Sequence, residues 1–240
     1  MTKSVSVVIP AYNEEKNIAS TVNFLLERLD KNSISDFEIL IFDDNSNDTT
    51  GEIADKLAGE HSQIKVIHNS RNMNLGYNIT KGFQLATKEY CGFIPGDNET
   101  EPETLDNIFK NLGRADIIVP YIKNPEARPW GRRFLSKTYV TIINIAFGLN
   151  MKYYNGMCYF KTTMVKNVSV STHGFAYMTE ILVKLLKSGV SFMEVPMINR
   201  VRERGATKAF RIKNIVSVFK TFLTLFYEVQ ILRRRIKITS

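Results

Sequence analysis

Two cysteines are all this chain of 240 residues contains, and Cys91 and Cys158 lie far apart with no histidine at metal-ligand spacing. Neither a disulfide framework nor a zinc site is supported, and a reducing compartment fits. No G-x-G-x-x-G follows the first apolar run and no G-x-x-x-x-G-K-[ST] occurs anywhere, which argues against dinucleotide binding of the dehydrogenase kind and against P-loop hydrolysis. No apolar stretch approaches the roughly 18 to 20 residues a membrane-spanning helix needs. Lys3 is followed at once by the strand-like Val5–Pro10, so export through a cleaved leader is not expected. Internal repeats and low-complexity segments are also missing.

What is present is a chain with 44% hydrophobic residues, enough for one core with an appendage. The formal net charge is +8, which calls for anionic partners. The positive charge gathers in Arg128–Lys137, Arg200–Lys213 and Arg233–Lys237, each beside an apolar segment. Those neighbours favour phosphate groups and a lipid surface over nucleic acid, for which no recognition-helix or RNA-binding pattern is seen.

Short β-branched runs alternate with helical patterns through the first half: Val5–Pro10, Glu14–Arg28, Phe37–Phe42, Thr49–Ala58, Ile64–His68, Gly76–Thr87, Tyr90–Ile94, Pro102–Leu112 and Asp116–Pro120. This predicts an α/β fold with a mostly parallel sheet between helices and ligands beyond the carboxyl ends of the strands. The segments after those ends are Ala11-Tyr12-Asn13-Glu14, Asp43-Asp44-Asn45-Ser46 and Pro95-Gly96-Asp97-Asn98-Glu99. An acidic rim repels a diphosphate unless a divalent cation lies between them, so metal-bridged nucleotide binding is the natural expectation. Farther on come an amphipathic helix around Phe134–Leu149, then the run Tyr154–Phe160, a helix around Tyr177–Leu186 and a strand around Val190–Pro196. Residues 211–232 read as one long helix, with Asn214, Ser217, Thr221, Thr224 and Glu228 in a polar stripe beside a broad apolar face. With Arg233, Arg234, Arg235 and Lys237 after it, an in-plane helix on an anionic membrane surface is expected, a helix buried in the core or in a homo-oligomer contact being the alternative.

Taken together, Pro10–Glu14, Asp43–Thr49 and Gly96–Glu99 resemble the family-2 glycosyltransferases of GT-A fold, in particular the polyprenyl-phosphate sugar transferases of the dolichol-phosphate mannose synthase kind. The resemblance implies that Pro10, Ala11, Tyr12, Glu14 and Asp44 line the nucleoside pocket, with Gly96 and Asp97 beside the donor. It also implies that Asp97 and Glu99 hold Mg2+ or Mn2+. The family's Asp-x-Asp-x-Gln/Glu segment has Pro95 here in place of its first Asp. Arg132, Arg133 and Ser136 match the segment that binds an acceptor phosphate. Arg202 and Lys208 match the loop that closes over the donor diphosphate. Around Tyr154-Asn155-Gly156 the family's Asp-x-x-Ser-Gly pattern is not recognisable.

The resemblance implies inversion at the sugar, with the metal on Asp97 and Glu99 and the guanidinium of Arg202 neutralising the departing diphosphate. A hydroxyl acceptor needs a general base, for which Glu180 is the candidate; with a lipid phosphate, already ionised, Glu180 instead orients Arg132 or the sugar. The expected protein is a transferase over 1–210 with an amphipathic helix and basic tail over 211–240, cytoplasmic and peripheral on the inner face of the membrane. Its expected partners are a nucleotide-diphosphate sugar and a lipid phosphate acceptor. Transfer to a hydroxyl of a cell-surface glycan and nucleotide-sugar binding without turnover are the alternatives.

Overall fold

The computed structural model describes residues 3–172, 174, 176–198 and 212–233. Arg202 and Lys208 lie outside them. In chain order the described elements are β1 (Ser4–Ala11), α1 (Ile18–Lys31), β2 (Asp36–Asp43), α2 (Thr50–Glu60), β3 (Ile64–His68), α3 (Leu75–Leu85), β4 (Tyr90–Phe93), α4 (Pro102–Asn111) and β5 (Ile117–Ile122). There follow α5 (Trp130–Phe147), β6 (Tyr159–Lys161), α6 (Thr162–Lys166), α7 (Tyr177–Lys187), β7 (Phe192–Met197) and α8 (Ile212–Phe226), which runs on as a π-helical turn over Tyr227–Ile231.

Among the described residues, seven strands form one sheet in the order β3-β2-β1-β4-β6-β5-β7. Strands β1, β2, β3 and β4 are mutually parallel. Strand β6 runs antiparallel to both β4 and β5, and β7 is parallel to β5. Every strand except β6 therefore points the same way.

Continuous apolar strands are the cause of the burial on both faces. Val5, Val7, Val8 and Ile9 of β1 and Ile39, Leu40, Ile41 and Phe42 of β2 are all buried. Helix α1 presents Ile18, Val22, Leu25 and Leu29, at steps of four, three and four, to this core. Helix α3 lies so close to β1 that a Cβ at Gly82 would stand 2.5 Å from a Val8 methyl. Only glycine permits that approach. Within the core, Glu38 of β2 accepts hydrogen bonds from Ser6 Oγ (2.7 Å), Thr87 N (2.6 Å) and Thr87 Oγ1 (2.7 Å), tying β1 and the α3–β4 turn to β2.

The second half holds details that the sequence pattern leaves open. Of the run Tyr154–Phe160, Tyr159 and Phe160 enter the strand Tyr159–Lys161, and residues 154–158 form a loop before it. Helix α6, five residues long, was not foreseen; so short a helix shows no periodicity. The long carboxy-terminal helix is present, but its polar stripe does not face water throughout. Thr221 is buried, as are Leu225 and Val229, whereas Phe219, Leu223, Tyr227 and Ile231 are exposed.

Candidate active site

Six parallel strands and one antiparallel strand bring many loops to one rim. The segments after β1, β2, β3, β4 and β5 lie there, and so does the loop 154–158 that enters β6. From β1 the chain moves outward to β2 and β3, then returns to β4 on the other side of β1. That reversal opens a crevice between the ends of β1 and β4, the usual place for a ligand in such sheets.

The crevice is closed at its base by backbone contact. Gly96 N donates to the Pro10 carbonyl (3.3 Å) and the Thr21 hydroxyl donates to the Gly96 carbonyl (3.1 Å). A Cβ at Gly96 would lie 3.0 Å from the Pro10 oxygen, so a side chain there would push the two segments apart. Gly96 is thereby fixed against Ala11, and Asp97 follows it directly in the chain. The second seam joins the loops after β1 and β2: Asp44 N donates to the Ala11 carbonyl (2.9 Å), Asn13 N to Ser46 Oγ (3.0 Å), Asn47 N to Asn13 Oδ1 (2.8 Å) and Glu14 N to Thr50 Oγ1 (2.8 Å). Asn13, Asn45 and Asn98 have φ of 57°, 62° and 53°. Asparagine tolerates this left-handed geometry better than most residues, and each turn sharply reverses the chain beside an acid.

Carboxylates crowd the rim. Burial raises the Glu14 carboxyl above its ordinary value; the Asn17 side-chain amide, 2.7 Å away, pulls it down, and the charges of Asp97, Asp48 and Glu99 push it up again. These four acids share one electrostatic field, which a divalent cation would relieve. Among the described residues, no group of three or more His, Cys, Asp or Glu side chains is arranged to hold a metal ion. Asp97 and Glu99 are the side chains of this turn that could hold a cation. One Asp97 oxygen accepts the Glu99 amide (3.2 Å), which folds the turn that carries both.

Pro10 and Ala11 are buried at the end of β1, and Tyr12 next to them is exposed. The Asp44 carboxylate accepts from Asn69 Nδ2 (2.8 Å), Met73 N (2.8 Å) and Asn74 N (3.0 Å). It shapes the loop after β3, which sequence reasoning had not assigned to the site; the asparagine-rich run Asn69–Asn78 was its only signal. Asp43 turns the other way, towards His68 Nδ1 (3.0 Å), whose Nε2 meets Asp55 (3.0 Å). Burial alone would raise the Asp43 carboxyl, yet hydrogen bonds from Ser46 and His68 hold it below its ordinary value. His68 is raised by its hydrogen bonds to Asp43 and then to Asp55.

Arg132, Arg133 and Ser136 occupy the first two turns of α5, downstream of β5, with Arg133 exposed and the other two half-buried. Thr100, just past Glu99, approaches Met157 Sδ at 3.7 Å, so the acidic loop adjoins the loop that enters β6. Glu180 is only 1% exposed. Its oxygens accept Ser171 N (2.9 Å), Thr172 N (3.3 Å) and Lys184 Nζ (2.7 Å).

The profile described as Glycosyl transferase family 2 matches residues 6–175. A dolichol-phosphate mannosyltransferase of Pyrococcus furiosus is 28% identical over 214 residues, covering 85% of this chain and 58% of that protein. A polyprenol monophosphomannose synthase of Mycolicibacterium smegmatis is 26% identical over 220 residues, covering 86% of this chain and 81% of that one. The chain thus spans little more than half of the first relative and about four-fifths of the second. Glucosyl-3-phosphoglycerate synthase of Mycobacterium tuberculosis, solved with Mn2+, UDP and phosphoglyceric acid, superposes with a TM-score of 0.70 at 15% identity, covering 93% of this chain and 78% of that one. That likeness identifies the α/β sheet as the GT-A fold. With the profile spanning well over half the sequence and the acidic strand ends gathered in one crevice, the chain belongs to glycosyl transferase family 2.

Proposed function

We propose that the protein is an inverting glycosyltransferase that moves a sugar from a UDP- or GDP-sugar to a polyprenyl phosphate at the cytoplasmic face of an anionic membrane. The observation that carries this reading is the β1/β4 crevice, where Gly96 packs on Pro10 and sets Asp97 and Glu99 beside Glu14. Family membership and the names of the relatives support sugar transfer and a lipid phosphate acceptor.

In this reading Pro10, Ala11, Tyr12, Glu14 and Asp44 hold the nucleoside, Asp44 also through the loop it organises. Asp97 and Glu99 bind Mg2+ or Mn2+, which supplies neutralisation of the leaving diphosphate when bound. Arg202 and Lys208 meet the same diphosphate, and Arg132, Arg133 and Ser136 the acceptor phosphate; a planar guanidinium suits paired phosphate oxygens. A lipid phosphate oxygen attacks the anomeric carbon, the bond to the diphosphate oxygen breaks, and the nucleoside diphosphate leaves with the electron pair. An ionised phosphate needs no proton removed. This fits a Glu180 committed to two amides and Lys184, and it favours phosphate over a glycan hydroxyl.

Two helices support docking on a membrane. On α5, Trp130 and Ile145 are each 79% exposed and Phe134 and Ile142 are exposed between them; on α8 and its π turn the exposed set is Phe219, Leu223, Tyr227 and Ile231. Arg133 and Lys137 of α5, Lys220 of α8 and Arg233 just past the π turn are exposed too. The helices meet where Phe147 packs against Phe222 and Phe226, with ring centroids 6.1 Å apart in both pairs. Among the described residues, no helix is long and apolar enough to cross a membrane. An in-plane platform made of α5 and α8 with its π turn accounts for these apolar faces and their basic neighbours.

The test is partition of product label from a panel of radiolabelled nucleotide sugars offered polyprenyl phosphate or a soluble glycan. Label in the organic phase, dependent on divalent metal, is expected. Label that moves only to the glycan would replace the acceptor, and tight binding without transfer to either would make the protein a binder.

A further inference from the structure

The first turn of α7 is tied to four other parts of the molecule. Tyr139 of α5 donates its hydroxyl hydrogen to Thr179 Oγ1 (2.8 Å), three residues beyond Ser136. Thr179 Oγ1 in turn reaches Asn155 Oδ1 in the loop before β6 at 3.4 Å. Glu180 takes the amides of Ser171 and Thr172 from the segment before α7. The fourth tie passes through Lys184, one turn later on the same face. Its ammonium lies 2.7 Å from Glu180 Oε1, 2.9 Å from the Ser169 carbonyl and 3.0 Å from Glu228 Oε2. An ammonium has three hydrogens, and these three partners account for all of them.

Glu228 belongs to the π turn that continues α8, so one cation joins the carboxy-terminal helix to the segment 169–172. The lysine side chain is 12% exposed and the Glu180 and Glu228 side chains 1% and 23%. In so sheltered a place two carboxylates repel each other strongly unless the cation stays between them. Displacing Glu228 therefore disturbs the charge that balances Glu180, and through it the amides of residues 171 and 172. A second contact runs in parallel: a Cβ on Gly174 would stand 3.2 Å from Ser217 Oγ of α8.

We propose that Lys184 is a positioning residue that couples the seating of α8 to the conformation of segment 169–172 and, through the first turn of α7, to the acceptor side of the site. What that side binds rests on the function proposed above; the coupling itself does not. Glu228→Gln removes one charge on α8 while keeping its shape and leaving Glu180 and Lys184 in place, and Glu228→Asp keeps the charge. The expected result for Glu228→Gln is faster amide exchange at Ser171 and Thr172, about five- to tenfold, the low end of typical coupling between sites. Turnover with a polyprenyl phosphate should show a kcat lower by a similar factor with donor affinity unchanged, and Glu228→Asp should restore most of both. Unchanged exchange at residues 171 and 172 would overturn the proposal, as would a loss of donor affinity in step with turnover, which marks a general loss of fold. If wild-type protein transfers no sugar to lipid while the exchange effect is present, the acceptor reading fails and the coupling stands.

Discussion

Glu14 and Asp43 are both carboxylates at strand ends, yet their surroundings move them in opposite directions. Glu14 is raised by burial and by Asp97, Asp48 and Glu99, so Asp97→Asn should lower its titration midpoint, as followed by carboxyl carbon NMR. No movement would mean that the two acids do not share a field. Asp43 is held down and its partner His68 held up, which fixes the pH window of the contact. The raised His68 contributes stability that is complete below the unfolded imidazole value, about 6.5, and is lost as pH rises through the folded value. The depressed Asp43 contributes above the unfolded carboxyl value, about 3.9, and loses its share as pH falls through the folded one. His68→Gln should therefore lower Tm most near pH 5 to 6 and progressively less in alkali; a difference constant from pH 5 to 9 would contradict the contact. The acids of the crevice were legible in the sequence because they follow strands directly. The His68 contact was not, since it spans 25 residues to Asp43 and 13 to Asp55 and no local pattern announces it.

Helix α8 shows how an element can be found in a sequence while what each of its faces meets is left open. Its polar positions recur at helical spacing, which suggests a wet stripe, but Thr221 is buried and Glu228 binds the sheltered Lys184. Periodicity reports which residues share a face, not what that face meets. The consequence is experimental. Leu225 and Val229 belong to the core and Phe222 and Phe226 cover Phe147, so ending the chain near Arg211 would strip packing as well as any lipid contact. Leu225→Ala alone should cost about 2 to 5 kcal/mol by denaturant titration. The cleaner probe of docking is Trp130→Ser with Phe134→Ser on the outer face of α5. Each such side chain is worth about 1.5 to 3 kcal/mol when buried, so flotation with anionic vesicles should weaken by tenfold or more with donor binding retained. Unchanged flotation would assign that face elsewhere; a change of oligomeric state instead would make it a contact between copies.

For the whole molecule, the decisive feature is that one sheet gathers distant segments on one rim. Strand identities were legible from their continuous β-branched runs, but the return of β4 to the free edge of β1 and the reversed β6 depend on long-range pairing. That pairing is where Gly96 meets Pro10 and where the crevice arises. Glu38 holds the same region from beneath, and Glu38→Ala, which removes a charged acceptor from three short hydrogen bonds, should cost on the order of 3 kcal/mol. The central claim is that this rim joins a donor sugar to a lipid phosphate with inversion. Its most direct test is phosphorus and proton NMR of the organic-phase product formed from an α-linked nucleotide sugar, polyprenyl phosphate and Mn2+. The account predicts a β-linked glycosyl phosphodiester from wild-type protein and none from Asp97→Ala. An α-linked product, or free sugar with the lipid phosphate unchanged, would contradict it.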